Sequence, residues 1–373
     1  DLPFTRASRE IPIKEIRDGI IYTVDGRYVK ILEVMPINFL HRSASEQKGI
    51  IYSFMGYLKI APPELQIKSL SKKADISQYI KTIREDIEKE PDERCRMLRQ
   101  GYANLICSVG YKEAVTRRFF LVFQVDSRRG TEKEIVNMLE SYAQTAKKYL
   151  YQCGNEILLS DNHTEETAEI LYTLLNRQSS TTLPFSERLN QVVNWYIREN
   201  GEDSVGRIPA AEYVAPRTLD FRHGNCVVLD GVYHTYLFVP SARYRFRVPA
   251  GWMSLLVNAG EGIDVDLFLY KQDKVKTIER IGRRIRLNRS KIKDASDTNT
   301  NFDDLAESIQ SGYYLKNGLS SNEEFYYICI LITVTGYSAK EAEWRAREVK
   351  KLLNAQDMDT VSCLFKEERA FLS

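Results

Sequence analysis

Gly19-Ile-Ile-Tyr-Thr-Val-Asp-Gly-Arg-Tyr28 returns as Gly224-Asn-Cys-Val-Val-Leu-Asp-Gly-Val-Tyr233, 205 residues further along the chain. Each run sets Asp-Gly, at Asp25-Gly26 and Asp230-Gly231, between two β-rich stretches. That pattern predicts a hairpin, because glycine accepts the positive φ of a tight turn. Each hairpin leads into an apolar strand, Val29 to Val34 and Tyr236 to Val239. A shared hairpin alone is weak; the shared order of elements behind it carries the reading. After the first come a helix-like stretch from Ser45 to Lys59 and a strand from Leu65 to Leu70. After the second come Gly251 to Val257 and a strand from Ile263 to Tyr270.

A helix follows in each half. Ile80, Ile83 and Ile87 form one apolar stripe, and Ile278, Ile281 and Ile285 form its counterpart at a constant offset of 198. Such spacing marks one helical face. Phe119-Phe-Leu-Val-Phe123 aligns with Tyr326-Tyr-Ile-Cys-Ile330 at an offset of 207, both continuous apolar runs of the kind a doubly covered strand shows. Thr131-x-x-Glu134 aligns with Ser338-x-x-Glu341, each a capping box that satisfies free N–H groups at a helix start. The helices behind share a stripe, Ile135, Leu139, Tyr142, Ala146 against Ala342, Ala346, Val349, Leu353. A strand ends each block, Glu156 to Leu159 and Cys363 to Phe365. The competing explanation, that αβ chains reuse similar patterns, must produce three stripes and two capping boxes in one order.

The 373 residues suffice for two or three domains, and 43% hydrophobic content supports sizeable cores. The longest apolar runs, near 119–123 and 326–334, fall far short of the roughly 20 residues of a membrane span. Residues 1–12 lack the apolar core of a signal peptide, and Asp1 in place of Met suggests a trimmed chain. Six cysteines without a Cys-x-x-Cys pair suggest a reducing cytosol. Between the repeats, Thr164 to Asn176 and Pro184 to Asn200 read as helices, Ser179 to Thr182 as a loop, and Gly201 to Pro216 as turn-rich. The expected organisation is α/β (α+β): two related mixed-sheet α/β sandwich units with ferredoxin-like βαβ cores, at 1–160 and 217–373, joined by a helical connector at 161–216. The polar run at 294–302 is expected to be a flexible loop.

The search for chemistry finds little. A phosphate-cradling loop needs glycines ahead of Lys-Ser or Lys-Thr, and no glycine here has that sequel. Gly260-Glu-Gly262 reads as a turn before the strand at 263. His223, Cys226 and His234 fall near one hairpin, but zinc usually takes four ligands, so these histidines read as structural and no metal site is expected. No catalytic and no cofactor-binding residues are assigned.

The most distinctive local feature is the basic helix 274–292; residues 271–293 hold ten Lys or Arg against two acids. With Ile278, Ile281, Ile285 and Ile292 inward, Lys276, Arg280, Arg283, Arg284 and Lys291 share the outer face, a candidate anion or subunit contact. A solvated charged face is the plainer alternative, and the lack of interleaved aromatics argues against base stacking there. At the offset of 198, Arg283 and Arg284 correspond to Glu85 and Asp86, a candidate complementary acidic surface. Equivalent helices of opposite charge suit a head-to-tail contact between copies.

Val248-Pro-Ala-Gly-Trp-Met-Ser-Leu-Leu256 followed by Ile263-Asp-Val-Asp-Leu267 resembles the N-terminal half of the VirB-four or TraC-like ATPases of type IV secretion and conjugation machines, in the form carried by Gram-positive conjugative elements. Ile11-Pro-Ile, Asp18-Gly-Ile-Ile, Tyr28-Val-Lys-Ile-Leu-Glu-Val and Ile37-Asn-Phe39 carry the same resemblance, which spans nearly the whole chain. Gly251, Trp252 and Asp264 are its structural motif positions. The resemblance implies a cytoplasmic protein, peripheral at the inner face of the cell membrane, hexameric at full length. It implies a RecA-like motor with Walker motifs, ATP and magnesium in a part that this sequence does not contain. This chain would then be a non-catalytic assembly and docking region without a cofactor. Its partners would be other copies and inner-membrane components of a conjugation channel. A nucleic-acid-binding module built on the basic helix is the rival expectation.

Overall fold

The computed structural model describes residues 7–73, 77–113, 115–158, 163–201, 208–240, 244, 248, 251–294 and 301–373. The 295–300 part of the polar run, Leu159 and the side chain of Ile80 lie outside the described residues.

Strand β1 (Ile13–Arg17) turns into β2 (Ile20–Thr23) through Asp18-Gly19, and β2 into β3 (Arg27–Val34) around Gly26. In the second half β7 (Leu219–Asp220) pairs with β8 (Val227–Leu229), which turns into β9 (Val232–Phe238). Asp230 and Gly231 close that turn with φ of 48° and 80°. Two successive positive φ angles fit a two-residue hairpin loop and twist the strands the right way. A β-carbon at position 231 would be strained by that angle alone.

Behind each hairpin the same chain order follows. Helix α1 (Ala7–Glu10) precedes the first. Then β3 leads to α2 (Ala44–Ile60), β4 (Glu64–Lys73), a helical hairpin of α3 (Ser77–Lys89) and α4 (Glu93–Glu113), β5 (Val115–Asp126), α5 (Glu132–Gln152) and β6 (Ile157–Leu158). Helices α6 (His163–Leu175), α7 (Ser179–Thr182), α8 (Phe185–Asn200) and α9 (Ala210–Val214) lie between the halves. From β9 the chain continues to α10 (Ser254–Val257), β10 (Ile263–Lys271), a hairpin of α11 (Lys274–Asp294) and α12 (Asn301–Ser320), β11 (Tyr326–Gly336), α13 (Ala339–Asn354), β12 (Val361–Ser362) and α14 (Glu367–Phe371).

Strand pairing orders the first half β6-β3-β5-β4 and the second β12-β9-β11-β10. Both are the order of a ferredoxin-like β-α-β-β-α-β unit, with a helical hairpin inserted between its second and third strands. The units are fused into one sheet by β4 pairing with β10. Every strand pair among the described residues is antiparallel, so the sheet is not mixed. The crossover β5-α5-β6 does return a strand parallel to its start, but β3 lies between the two and pairs with both.

The register corrects one alignment read from sequence. Lys73 pairs with Val115, and its counterpart Lys271 pairs with Tyr326, which sets β5 and β11 at an offset of 211 rather than 207. The slip is four residues, an even number, so both alignments place the same apolar faces inward and side-chain alternation could not tell them apart. The four residues reappear as Ser127–Gly130 between β5 and the cap of α5, where Ser127–Arg129 form a 3-10 turn. The last strand of the second unit is Val361–Ser362, ahead of the expected Cys363 to Phe365.

Four cores clad the sheet. Leu121, Phe123 and Val125 pack on Ile135, Leu139 and Ala146 of α5 and on Tyr57 of α2. Ile330, Ile332 and Val334 pack in the same way on Ala346, Val349 and Leu353 of α13. On the opposite face of the first unit, Ile31, Leu70 and Phe120 meet Ala168, Tyr172, Phe185 and Val214 from α6, α8 and α9. The same face of the second unit holds a smaller cluster around Tyr236 and Leu331, with Phe371 of α14 against it. Ser179 to Thr182, expected as a loop, is the single helical turn α7, seated behind Asn176, whose amide donates to the Val214 carbonyl at 2.7 Å.

Candidate functional site: two charged hairpins and a polar junction

Antiparallel pairing of β4 with β10 fixes where the inserted hairpins go. Chain direction is reversed between the two strands, so α3–α4 and α11–α12 leave the sheet at opposite ends. The second helix of each hairpin was not foreseen. In such a pair each helix buries only a narrow stripe against its mate, so α4 and α12 lack the wide apolar face that marks a core helix. Met97, Leu98, Tyr102 and Leu105 of α4 stay exposed.

In α11, Ile285 is buried and Ile278 and Ile281 are partly buried. They face α12 rather than the sheet. Gly312 permits the close approach, because a β-carbon there would lie 2.7 Å from Ile285 Cγ1. Lys276, Arg280, Arg283, Arg284 and Lys291 are all exposed on the other side. None of the five enters an ion pair among the described residues. Asp273 starts the helix, its Oδ1 accepting the backbone N–H of Lys276 at 2.8 Å. Arg280 donates to Tyr327 Oη at 2.7 Å, with its guanidinium carbon 5.7 Å from the ring centre.

In α3, Glu85 and Asp86 are exposed and Ile87 is buried. The tip of that hairpin is acidic from Glu88 to Glu93, with Glu90 held by Arg99 at 2.9 Å. The two candidate charged sets thus sit on equivalent hairpins at opposite ends of the sheet, which separates them within one chain.

The line β4–β10 carries a second constellation, which sequence reading missed. Lys68 pairs with Asp266, and at the offset of 198 each is the other's counterpart. The local twofold relating the units therefore passes through this pair. Lys68 Nζ lies 2.7 Å from Asp266 Oδ2, and Gln66 donates to Oδ1 at 2.8 Å. Asp264, a motif position, accepts the Ser71 N–H at 2.9 Å and pairs with Arg177, which also donates to the Ser71 carbonyl. Arg177 follows α6, so this buried pair ties the helical layer of the first unit to β10, the second unit's strand at the junction. His234 on β9 is buried beside it, and burial together with the Arg177 charge pushes its pKa down to about 3. His223 lies at the surface, 3.9 Å from Asp220. Among the described residues no three His, Cys, Asp or Glu side chains gather as a metal site would require. The alternation Ile263-Asp-Val-Asp-Leu267 was the available signal: two carboxylates on one face of an otherwise apolar strand must find partners.

The other motif positions are structural. Gly251 takes a φ of 74° in the turn before α10. Trp252 packs against the core of Leu256, Val349 and Leu353. Tyr326, facing the first unit, donates its hydroxyl to the Leu58 carbonyl, and burial raises its pKa to about 12. No helix among the described residues is long and apolar enough to cross a membrane.

Residues 14–176, from β1 through α6, match the family model of the archaeal TraC-like domain. No curated protein matches the chain. The match supports a TraC/VirB-four-like N-terminal region over those residues and ends one residue before Arg177; Gly251, Trp252 and Asp264 lie beyond it.

Proposed function

We propose that this chain, with its TraC-like region, is an assembly and docking part of a conjugation ATPase. The observation that carries this reading is the placement of an exposed basic stripe on α11 and of the acidic run from Glu85 to Glu93 on the equivalent hairpin, at opposite ends of one twofold sheet. Like ends of such a molecule repel and unlike ends attract, so copies join head to tail. Contacts of that kind close into rings or run on as filaments. A hexameric ring is the form that the TraC and VirB-four resemblance suggests. The site carries no catalytic role in this reading; ATP and magnesium belong to a motor part outside these residues. The face away from the ring would dock inner-membrane components of a conjugation channel, from the cytoplasmic side.

Light scattering at low and high salt tests the assembly. An exposed ion-pair contact weakens as the screening length shrinks from about 10 Å at 0.1 M to about 3 Å at 1 M. The expected result is an oligomer at low salt that dissociates at high salt. It should be lost in Arg283→Glu/Arg284→Glu. A monomer under both conditions would remove self-association from this region.

A further inference from the structure

The sheet face opposite α5 and α13 is roofed unevenly. Over the first unit it lies under α6, α8 and α9; over the second, α14 packs in the cluster that includes Phe268, and Phe371 to Ser373 reach on toward Gln66, Val122 and Gln124 of the first unit. Beyond this cover, at the end of the face near the root of α11, the row of Tyr270 and Tyr327 stays exposed. Leu267 and Leu269 of β10 point into the helix-side core, so Phe268 and Tyr270 point the other way. Tyr270 pairs directly with Tyr327 of β11, so both side chains stand on that face, the Tyr327 ring edge-on to Phe325 at 5.6 Å between centres. They are 39% and 46% exposed, unusual for tyrosines within paired strands. Arg280 leans on Tyr327, so the cation stripe of α11 starts where the aromatic pair ends. On the other side Tyr270 pairs with Glu64, and an open recess of about 530 Å³ follows, lined by Arg27, Glu64, Gln124, Asp126, Arg128 and Arg129. Its carboxylates are already engaged: Glu64 by Arg129 at 3.3 Å and Asp126 by Arg128 at 2.6 Å.

We infer that this exposed end of the face is a binding platform for single-stranded nucleic acid, with bases stacked on Tyr270 and Tyr327 and the backbone drawn along Arg280, Arg283 and Arg284 of α11. The aromatics that the sequence of α11 lacks are supplied by the strands at its root. Sheet aromatics flanked by cations stack unpaired bases irrespective of sequence. From β5 to β11 the face is three strand spacings wide, about 14 Å, which suits two or three bases. Duplexes are excluded because their base faces are not free to stack. An acidic protein would use the same cations but gain nothing from two exposed rings. This surface overlaps the proposed head-to-tail contact at Arg283 and Arg284, so a strand and a neighbouring copy would compete for those two residues, while Tyr270 and Tyr327 belong to the strand alone.

Fluorescence anisotropy with labelled oligothymidylate and oligouridylate, in the full chain, tests it. Binding is expected with a log–log salt slope of about −2 to −3.5, as for three to five phosphates neutralised on a single strand. Tyr270→Ala/Tyr327→Ala should weaken binding about tenfold or more, because each stacked base is worth 1–3 kcal/mol by alanine substitution. Tyr270→Phe/Tyr327→Phe keeps both rings and should bind like the parent, which separates stacking from folding. Oligomer size should be unchanged in both variants, so failure here leaves the assembly reading intact. The inference is overturned if neither oligonucleotide binds, or if the Ala and Phe variants bind alike. Equal binding of a duplex, or equally effective competition by polyglutamate, overturns it as well.

Discussion

His234 and Arg177 show how one buried charge constrains its neighbours. The pKa of His234 is pushed down to about 3 by burial and by Arg177, while an unfolded histidine titrates near 6.5. Between those values the unfolded chain binds the extra proton. Stability is therefore full above about pH 6.5 and declines as pH falls toward 3, by an amount on the order of a few kcal/mol. Urea midpoints measured from pH 7 to pH 4 should show this fall, and His234→Gln should flatten it; an unchanged slope in the variant would assign the loss to other groups. Asp264→Ala should be costly for a related reason. It strands the Arg177 guanidinium and the Ser71 N–H together, and breaking a buried pair costs about 3 kcal/mol. Asp264→Asn keeps an acceptor for Ser71 and should lose less, as read from the shift in urea midpoint. The aspartates were visible in the sequence, but their partners were not. Arg177 stands 87 residues from Asp264, and only the packing of α6 against the sheet brings them together.

At the scale of elements, local chemistry was legible and non-local pairing was not. Thr131 accepts the Glu134 N–H and Glu134 returns the bond to the Thr131 N–H, as the capping pattern predicted. Thr131→Ala should cost about 1 kcal/mol, measured as a lower melting temperature. The counterpart is looser: Ser338 caps Glu341, but the Glu341 carboxylate accepts from the Tyr337 N–H instead. A third box, Ser43 with Glu46 at the start of α2, went unread. Helices α4 and α12 were missed because their burial depends on a partner helix. For Gly312→Ala the intrinsic helix gain is about 1 kcal/mol, but the new methyl meets Ile285 Cγ1 at 2.7 Å. Overpacking of that kind costs about 1–3 kcal/mol, so the clash should win. Faster amide exchange along Lys274–Asp294 in the variant would report the opened hairpin.

Across the whole molecule the duplication sets the architecture. Two ferredoxin-like units, each with its own hairpin insertion, meet along β4 and β10 about the Lys68–Asp266 pair. The repeat was readable because hairpin turns and helix stripes recur at fixed spacing. The fusion into one sheet was not, since nothing local marks the edge strand that another unit will cover. Divergence between the units is chiefly electrostatic: Lys68 against Asp266, and Glu85 and Asp86 against Arg283 and Arg284. At the junction those opposite charges meet within one chain. On the hairpins they point away from each other, toward whatever lies beyond each end. The most direct test mixes two reversed variants and measures mass by sedimentation velocity. Arg283→Glu/Arg284→Glu places acids at both candidate contact pairs, and Glu85→Lys/Asp86→Lys places bases at both. Head-to-tail contact predicts that each variant alone stays monomeric and that an equimolar mixture recovers the parent oligomer. A mixture that remains monomeric, or a single variant that assembles like the parent, would contradict it.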